Sequence, residues 1–434
     1  MSKLNTNTIN SSIEVKRTKP MDAGRSLKLF WVTLFVIYPF LATLLALKHY
    51  RSAFSKNVIW LFVIFFGFTF VISDPGMDAN RYRDYFFDWT TTSITFSNFF
   101  QMLYSEDTNY LDIAVPLINF VLSRFTSNYH ILFAVFGLIF GFFYSRNIWF
   151  LFEQSGSSVK WSNMVYLLTF AFIVGYWSIN GFRMWTAAHI FIYGVFQYAY
   201  QKRKNGLWIA ASSIFVHFSF MFPVSILLIY TLVGNRVSLF FWLYIVTMFF
   251  LEIELSVVRN LLTIILPDVF LPTVSGFTSE EYIDTLHEEA QTYNWRYFLY
   301  SKSIGWTVAL LLTVMFFKGK SFFEKNPPLL SLFSFTLLFL AAANLISNIP
   351  GGGRFLSVGY IFAMASIFLY YQHTQLSTIE KTVRFITIPL LLFYCLGKFN
   401  VSLMTSNILL IFGNPIMAIF ADINQTITEF FGLL

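Results

Sequence analysis

The sequence predicts an all-α, polytopic integral membrane protein, and three observations predict it. Hydrophobic residues make up 56% of the 434 and charged residues only 12%, against about 25% charged in soluble domains. Apolar stretches long enough to cross a bilayer, roughly 20 residues each, recur from one end of the chain to the other. Aromatic residues account for 21%, with 56 Phe suited to lipid contact and 23 Tyr and 11 Trp suited to the membrane interfaces. A water-soluble core cannot hide that much apolar surface.

Residues 1–27 read as a polar tail carrying Lys16, Arg17, Lys19 and Arg25. No short apolar core with a small-residue cleavage site follows, so the first helix is expected to serve as the membrane signal itself. Residues 28–434 then read as a single membrane domain of about 11–14 transmembrane or re-entrant helices. Spans are expected near 29–47, 57–73, 129–151, 161–179, 181–200, 237–252, 298–317, 328–348, 355–372 and 384–402. Three stretches are less regular: 110–124 with Pro116, 206–233 with Pro223, and 406–420 with Gly413, Asn414 and Pro415.

Lys and Arg set orientation, because cytoplasmic connections are enriched in them. Four connections are basic: Lys48, Arg51 and Lys56; Lys202, Arg203 and Lys204; Lys318, Lys320 and Lys325; and Lys381 with Arg384. The long connections near 74–109 and 253–297 are acidic and are expected outside, as is the glycine turn at 349–354. The net charge of +7 fits this topology, and no soluble basic patch points to nucleic acid. Stretch 206–233 starts and ends beside basic residues. It reads either as a broken pair that enters and returns near His217–Pro223, or as one kinked span. Stretch 110–124 poses the same choice. The basic tail conflicts with this scheme, which puts it outside.

Charges in or beside membrane helices are costly and so are functional candidates. Asp78, Arg81 and Tyr82 share a short stretch, and helical spacing puts Asp78 and Tyr82 on one face. Arg183, after Asn180, opens a span with no acidic neighbour in sequence; a guanidinium there suits a bidentate phosphate contact or snorkels to the interface. His217, with Ser219 two residues on, is either a general base or a hydrogen-bonding strut. His189 reads as structural. Arg354 follows Gly351, Gly352 and Gly353, whose backbone N–H groups are able to approach an anion. Asp112 reads as a helix cap or as a second carboxylate. Arg81, Arg183 and Arg354 are all expected outside, where convergence on one lipid phosphate or diphosphate is a hypothesis. There is no Walker-type loop and no His/Cys ligand spacing, so neither a nucleotide nor a metal or other cofactor is expected. Cys395 is the one cysteine, which excludes an internal disulfide.

At these residues the chain resembles the EpsG-like branch of the Wzy-type polysaccharide polymerases. That family carries a D-x-x-x-Y element, an acidic-or-polar residue before a Pro-Leu helix, an R-x-x-x-A helix start, an H-x-S element and a late R-F. Here they read Asp78…Tyr82, Asp112…Pro116-Leu117, Arg183…Ala187, His217-Phe218-Ser219 and Arg354-Phe355. The order and helix context match across roughly residues 57–372, and the ordered set is more specific than any one motif. Met184 stands where the family often has Gln, and the family's Glu before Pro-Leu is here Asp112, shifted upstream.

The resemblance implies a metal-independent, GT-C-like membrane glycosyltransferase in the bacterial inner membrane, with its active site facing the periplasm or exterior. Its substrates would be oligosaccharide repeats on undecaprenyl diphosphate, and its setting membrane lipid, with a chain-length regulator and a flippase as accessory partners. An acceptor hydroxyl would attack the anomeric carbon and undecaprenyl diphosphate would leave. Arg183, Arg354 and Arg81 would hold the diphosphate; Asp78 or His217 would be the base, with Tyr82, Asp112, Asn180 and Ser219 in support. Competing readings are a lipid-linked oligosaccharide flippase, a ligase moving glycan to another carrier, and a membrane acyltransferase. A flippase should show repeat symmetry, and no repeat is visible.

Overall fold

The computed structural model describes residues 20–73, 76–92, 95–103, 112–156, 158–249, 295–347, 349, 351–421 and 423–432. The expected external loop at 253–297 lies outside them up to residue 294, and so does the tail up to residue 19. Helices run in order as α1 (Pro20–Ile37), α2 (Pro39–Lys48), α3 (Ser55–Phe68), α4 (Asp78–Thr91), α5 (Phe96–Leu103) and α6 (Ala114–Leu122). They continue as α7 (Tyr129–Gln154), α8 (Met164–Ile173), α9 (Phe182–Val195), α10 (Asn205–Val216), α11 (Met221–Val233) and α12 (Val237–Thr247). After the undescribed stretch come α13 (Trp295–Lys318), α14 (Lys320–Lys325), α15 (Pro327–Ile346), α16 (Gly353–His373) and α17 (Thr378–Leu403), then short turns of helix to the end. Among the described residues the β pairing is a single isolated bridge, Asn407 to Thr426. Among the described residues five helical runs are long and apolar enough to cross a membrane: Tyr129–Gln154, Trp161–Tyr200, Pro327–Ile346, Gly353–His373 and Thr378–Leu403. The protein is an all-α polytopic membrane protein.

Local chemistry explains where helices begin and break. The expected span 29–47 is two helices, because Pro39 disfavours helical geometry in the residue before it. Tyr38 accordingly sits at φ −149°, ψ 86°. Helix α1 also begins at Pro20, inside the stretch expected to be a polar tail. Helix α6, nine residues or about 14 Å, is too short to cross a core of about 30 Å. Helix α17 opens with a capping box between Ser377 and Glu380.

Small residues bring the long helices together. A side chain at Gly67 of α3 would run into the carbonyl of Phe133 on α7, and one at Gly137 of α7 into the carbonyl of Val63 on α3. Helices α9 and α10 approach in the same way through Gly194, Gly206 and Ala210. Such contacts are the usual basis of helix association in lipid, where apolar burial gives little net drive.

The run Trp161–Tyr200 reverses direction at Val174 and Gly175, which leave helical geometry before a 3₁₀ turn, Tyr176–Gly181. Helix α9 then descends beside α7: Phe182 stacks on Phe136 at 3.9 Å and Phe196 on Phe150 at 4.3 Å. The buried His189 ties the reversal down, its Nε2 donating to the Val174 carbonyl at 3.2 Å while Asn147 faces its Nδ1 at 3.3 Å. Its role is structural.

Stretch 206–233 is a helical hairpin rather than one kinked span. Helix α10 ends at Val216, His217 is extended, Phe218–Phe220 form a 3₁₀ turn, and α11 returns. Its two feet meet at Ser331 on α15. Lys202, just before the hairpin, donates to the Ser331 hydroxyl, and Asn235, just after it, donates to the same oxygen at 3.2 Å.

The four basic connections gather at one end of the bundle. Lys56 pairs with Glu153 at 3.2 Å. Lys160 donates to the Tyr371 carbonyl at 3.2 Å, and Arg384 to the Ser162 carbonyl at 2.8 Å. Phe323 stacks on Phe333 at 4.6 Å and on Tyr370 at 5.6 Å, which carries the third basic connection and the hairpin's feet to the same end. The hairpin tip at His217, the start of α9 and the start of α16 point to the other end. Between the two ends lies a core dominated by phenylalanine, with Phe191, Phe335, Phe339 and Phe362 in mutual contact.

Candidate functional site

Three segments far apart in sequence meet on one carboxylate at the end opposite the basic connections. Asp112 lies just before α6, and its side chain is 4% exposed. Its Oδ2 accepts from Arg183 Nη1 at 3.0 Å and faces His217 Nδ1 at 3.0 Å. Its Oδ1 accepts from the backbone N–H of Phe218 at 2.6 Å. The Ile113 N–H, donating to the Phe215 carbonyl at 3.2 Å, fastens the same stretch to the end of α10.

The expectation of Asp112 as a helix cap is corrected here. Ile113 holds the cap position of α6, without a side-chain cap, and the Asp112 oxygens reach other segments instead. Burial alone would push the Asp112 carboxyl up. The hydrogen bond and charge of His217, followed by Arg183 and the Phe218 N–H, outweigh burial and hold it below the usual carboxylate range.

His217 is set by the hairpin turn. An ionised carboxylate only accepts, so Nδ1 must be the protonated nitrogen facing Asp112. In the neutral ring Nε2 then carries the lone pair, and among the described residues none hydrogen-bonds it. The side chain is 22% exposed. Ser219, two residues on, buries its Oγ without a partner among the described residues.

Arg183 is held by Asp112 yet keeps an open face, its side chain being 44% exposed. Tyr82 of α4 stands close enough for the Arg183 charge to act on its phenol. Tyr82 is buried edge-on against Phe136 at 5.4 Å, and Phe136 stacks on Phe182, the residue before Arg183. Burial pushes the Tyr82 phenol up, against the lowering pull of Arg183. Asn180 completes the frame: its Oδ1 accepts from the Ala79 N–H at 3.1 Å, tying the turn before α9 to the first turn of α4. Asp78 stands close enough to raise the Tyr82 phenol by its charge.

Arg81 and Arg354 are at the rim. Arg81 is 72% exposed and 3.7 Å from Asp78, itself 42% exposed; such a pair contributes at most about 1 kcal/mol. Arg354 is exposed at the start of α16. The next residue, Phe355, packs against Phe220 at 5.9 Å and Phe222 at 5.2 Å, just beyond His217. Of the three glycines before Arg354, Gly352 spends its N–H within the turn itself. The N–H groups of Gly352, Arg354 and Phe355 donate to the Ile349, Gly351 and Gly352 carbonyls at 2.7, 3.2 and 3.0 Å. Gly351 supplies a positive φ of 78°, and a side chain at Gly352 would collide with the Ile346 carbonyl oxygen. Asn348 and Pro350 lie outside the described residues.

The structure thus brings Asp112, His217 and Arg183 into one network and sets Tyr82, Asp78 and Asn180 beside it. Of the three arginines, Arg183 alone joins that network among the described residues. The Phe218 N–H went unread in the sequence, because a main-chain donor has no signature of its own. The arrangement pairs an oriented proton acceptor with a guanidinium that has donors to spare for an anion.

Fold and site together define a many-helix membrane protein with a carboxylate–imidazole–guanidinium network at one end of its bundle. The sequence model of the EpsG family matches residues 57–412, and the chain belongs to that family. Membership brings a role of polysaccharide-polymerase type. The matched stretch contains every residue of the network. No curated protein and no solved structure matches the chain.

Proposed function

We propose that the protein polymerises lipid-linked oligosaccharide repeats at the outer face of the bacterial inner membrane. The observation that carries this reading is the Asp112 carboxylate shared by Arg183 and His217 at the end opposite the basic connections. The positive-inside rule puts those connections in the cytoplasm, and the network therefore outside.

The donor is a glycan on undecaprenyl diphosphate and the acceptor a second lipid-linked repeat. An acceptor hydroxyl oxygen attacks the anomeric carbon of the donor. The bond from that carbon to the diphosphate oxygen breaks, and undecaprenyl diphosphate leaves with the electron pair. His217 Nε2 takes the hydroxyl proton, and Asp112 stabilises the imidazolium, as a carboxylate does for an oriented histidine. Arg183, with the rim residues Arg354 and Arg81, balances the charge growing on the leaving diphosphate. This geometry favours His217 over Asp78 as base, since Asp78 is half exposed and already faces Arg81. Tyr82, Asn180 and Ser219 shape the walls.

Reconstitution with a purified lipid-linked repeat tests the proposal. The expected products are longer glycans and free undecaprenyl diphosphate; both should disappear in the Arg183→Ala protein and fall about tenfold at sub-saturating donor in Arg354→Ala, the loss of one charge-assisted contact. Transfer of the intact lipid-linked repeat across the bilayer, without release of diphosphate, would instead identify a flippase.

A further inference from the structure

The end of the bundle that carries the basic connections holds a cavity that polymerisation leaves unused. It measures about 400 Å³ and lies between the start of α3 and the last turns of α7, with Arg51, Ser52, Lys56, Trp149 and Glu153 among its walls. We propose that this cavity binds a phosphate group, presented by a lipid of the cytoplasmic leaflet.

Three observations converge on an anion. Arg51 has no carboxylate partner among the described residues; its guanidinium only rests over the neighbouring Tyr50 ring, at 5.8 Å. Lys56 pairs with Glu153 at 3.2 Å, which leaves the walls with one uncompensated positive charge, that of Arg51. Ser52 buries its hydroxyl oxygen without a partner among the described residues, and an unmet buried hydroxyl costs about 1–3 kcal/mol. A phosphate oxygen accepts from Arg51, and rotation about the Ser52 Cα–Cβ bond turns that hydroxyl from its covered position toward the same oxygen.

The surroundings favour a lipid as the carrier. Along α7, Arg146 lies three residues before Trp149 and seven before Glu153, on the same helical face. Arg146 also lacks a carboxylate: it donates to Asn57 Oδ1 at 2.7 Å and is flanked by the rings of Trp60 at 4.7 Å and Phe142 at 4.2 Å. A track of Arg146, Lys56 and Arg51 edged by aromatic rings therefore climbs from the apolar zone to the cavity. Aromatic rings beside cations are the usual furniture of the lipid headgroup level.

The test uses the full chain in detergent and native mass spectrometry with dimyristoyl phosphatidic acid, against dimyristoyl glycerol, which lacks the phosphate. One phosphatidic acid molecule should be retained. Arg51→Gln should weaken retention about tenfold, the loss of one charge-assisted contact. Ser52→Ala should weaken it several-fold while leaving the melting temperature in detergent unchanged or higher, since it removes an unmet hydroxyl. Glycerol 3-phosphate that displaces the lipid at millimolar concentration would show that the pocket also takes free phosphate. No displacement would tie the site to a lipid. Equal retention by wild type, Arg51→Gln and Ser52→Ala, or equal retention of dimyristoyl glycerol, would overturn the proposal. A negative result leaves the reading of the Asp112 network untouched.

Discussion

His217 Nδ1 and Arg183 Nη1 lie at the same distance, 3.0 Å, from a single oxygen, Oδ2 of Asp112. One buried carboxylate therefore fixes both the proposed base and the proposed anion holder. Asp112→Asn keeps the shape and removes the charge, and its amide cannot accept on every contact at once. Polymerisation is expected to fall about 10²–10⁴-fold, the range for a disabled acid–base group. Breaking a buried pair is also strongly destabilising, so the melting temperature in detergent should drop in the same protein.

The pH dependence of stability has a definite sign. The Asp112 carboxyl is held below its ordinary value, about 3.9, by His217 and Arg183 against burial. A depressed acid stabilises the fold fully above its unfolded value and loses that contribution as pH falls through its folded one. Melting temperature should hold steady with falling pH until about pH 4 and then decline. In Asp112→Asn this part of the decline should be missing. An unchanged acid limb in the variant would show that Asp112 is not the group responsible.

His217 and Asp78 can be separated by rate. With His217 as base, His217→Gln should lower kcat by about 10²–10⁴-fold with KM nearly unchanged, because a glutamine still bonds Asp112 but accepts no proton. Asp78→Asn should cost less than about tenfold. The reverse order of effects would make Asp78 the base.

Arg354 offers the cleanest reading of the diphosphate site, since it is exposed and no ion pair among the described residues depends on it. Arg354→Gln should leave the fold intact and raise KM for the lipid-linked donor about tenfold, one charge-assisted contact. An unchanged KM would remove Arg354 from the site.

Hydropathy made the helices legible. Each long span at 129–151, 328–348, 355–372 and 384–402 appears as a helix within a few residues of where its apolar run lies, because lipid requires the backbone to satisfy itself along each segment. The break at Tyr38 carried a signal, the proline after it, which the continuous apolar run 29–47 masked. The site was legible one residue at a time. Arg183, His217, Tyr82 and Asp112 each stood out as a polar group at a helix edge. That Asp112 is the centre did not, because its partners are 71 and 105 positions away and no local spacing encodes such contacts. The glycines at 351–353 show a related limit: composition tells that backbone can come close to something, but not that the Gly352 N–H is received by its own turn.

The hairpin has a consequence for depth. Helix α10 spans twelve residues, about 18 Å, and its feet are fixed at the basic end, while a bilayer's hydrocarbon is about 30 Å thick. On the proposed orientation His217 therefore stops well short of the far headgroups. A sugar must pass below the outer headgroups to meet it, and the diphosphate it leaves must rise again to regain its place among the lipids. The bilayer's thickness becomes one of the dimensions of the reaction vessel.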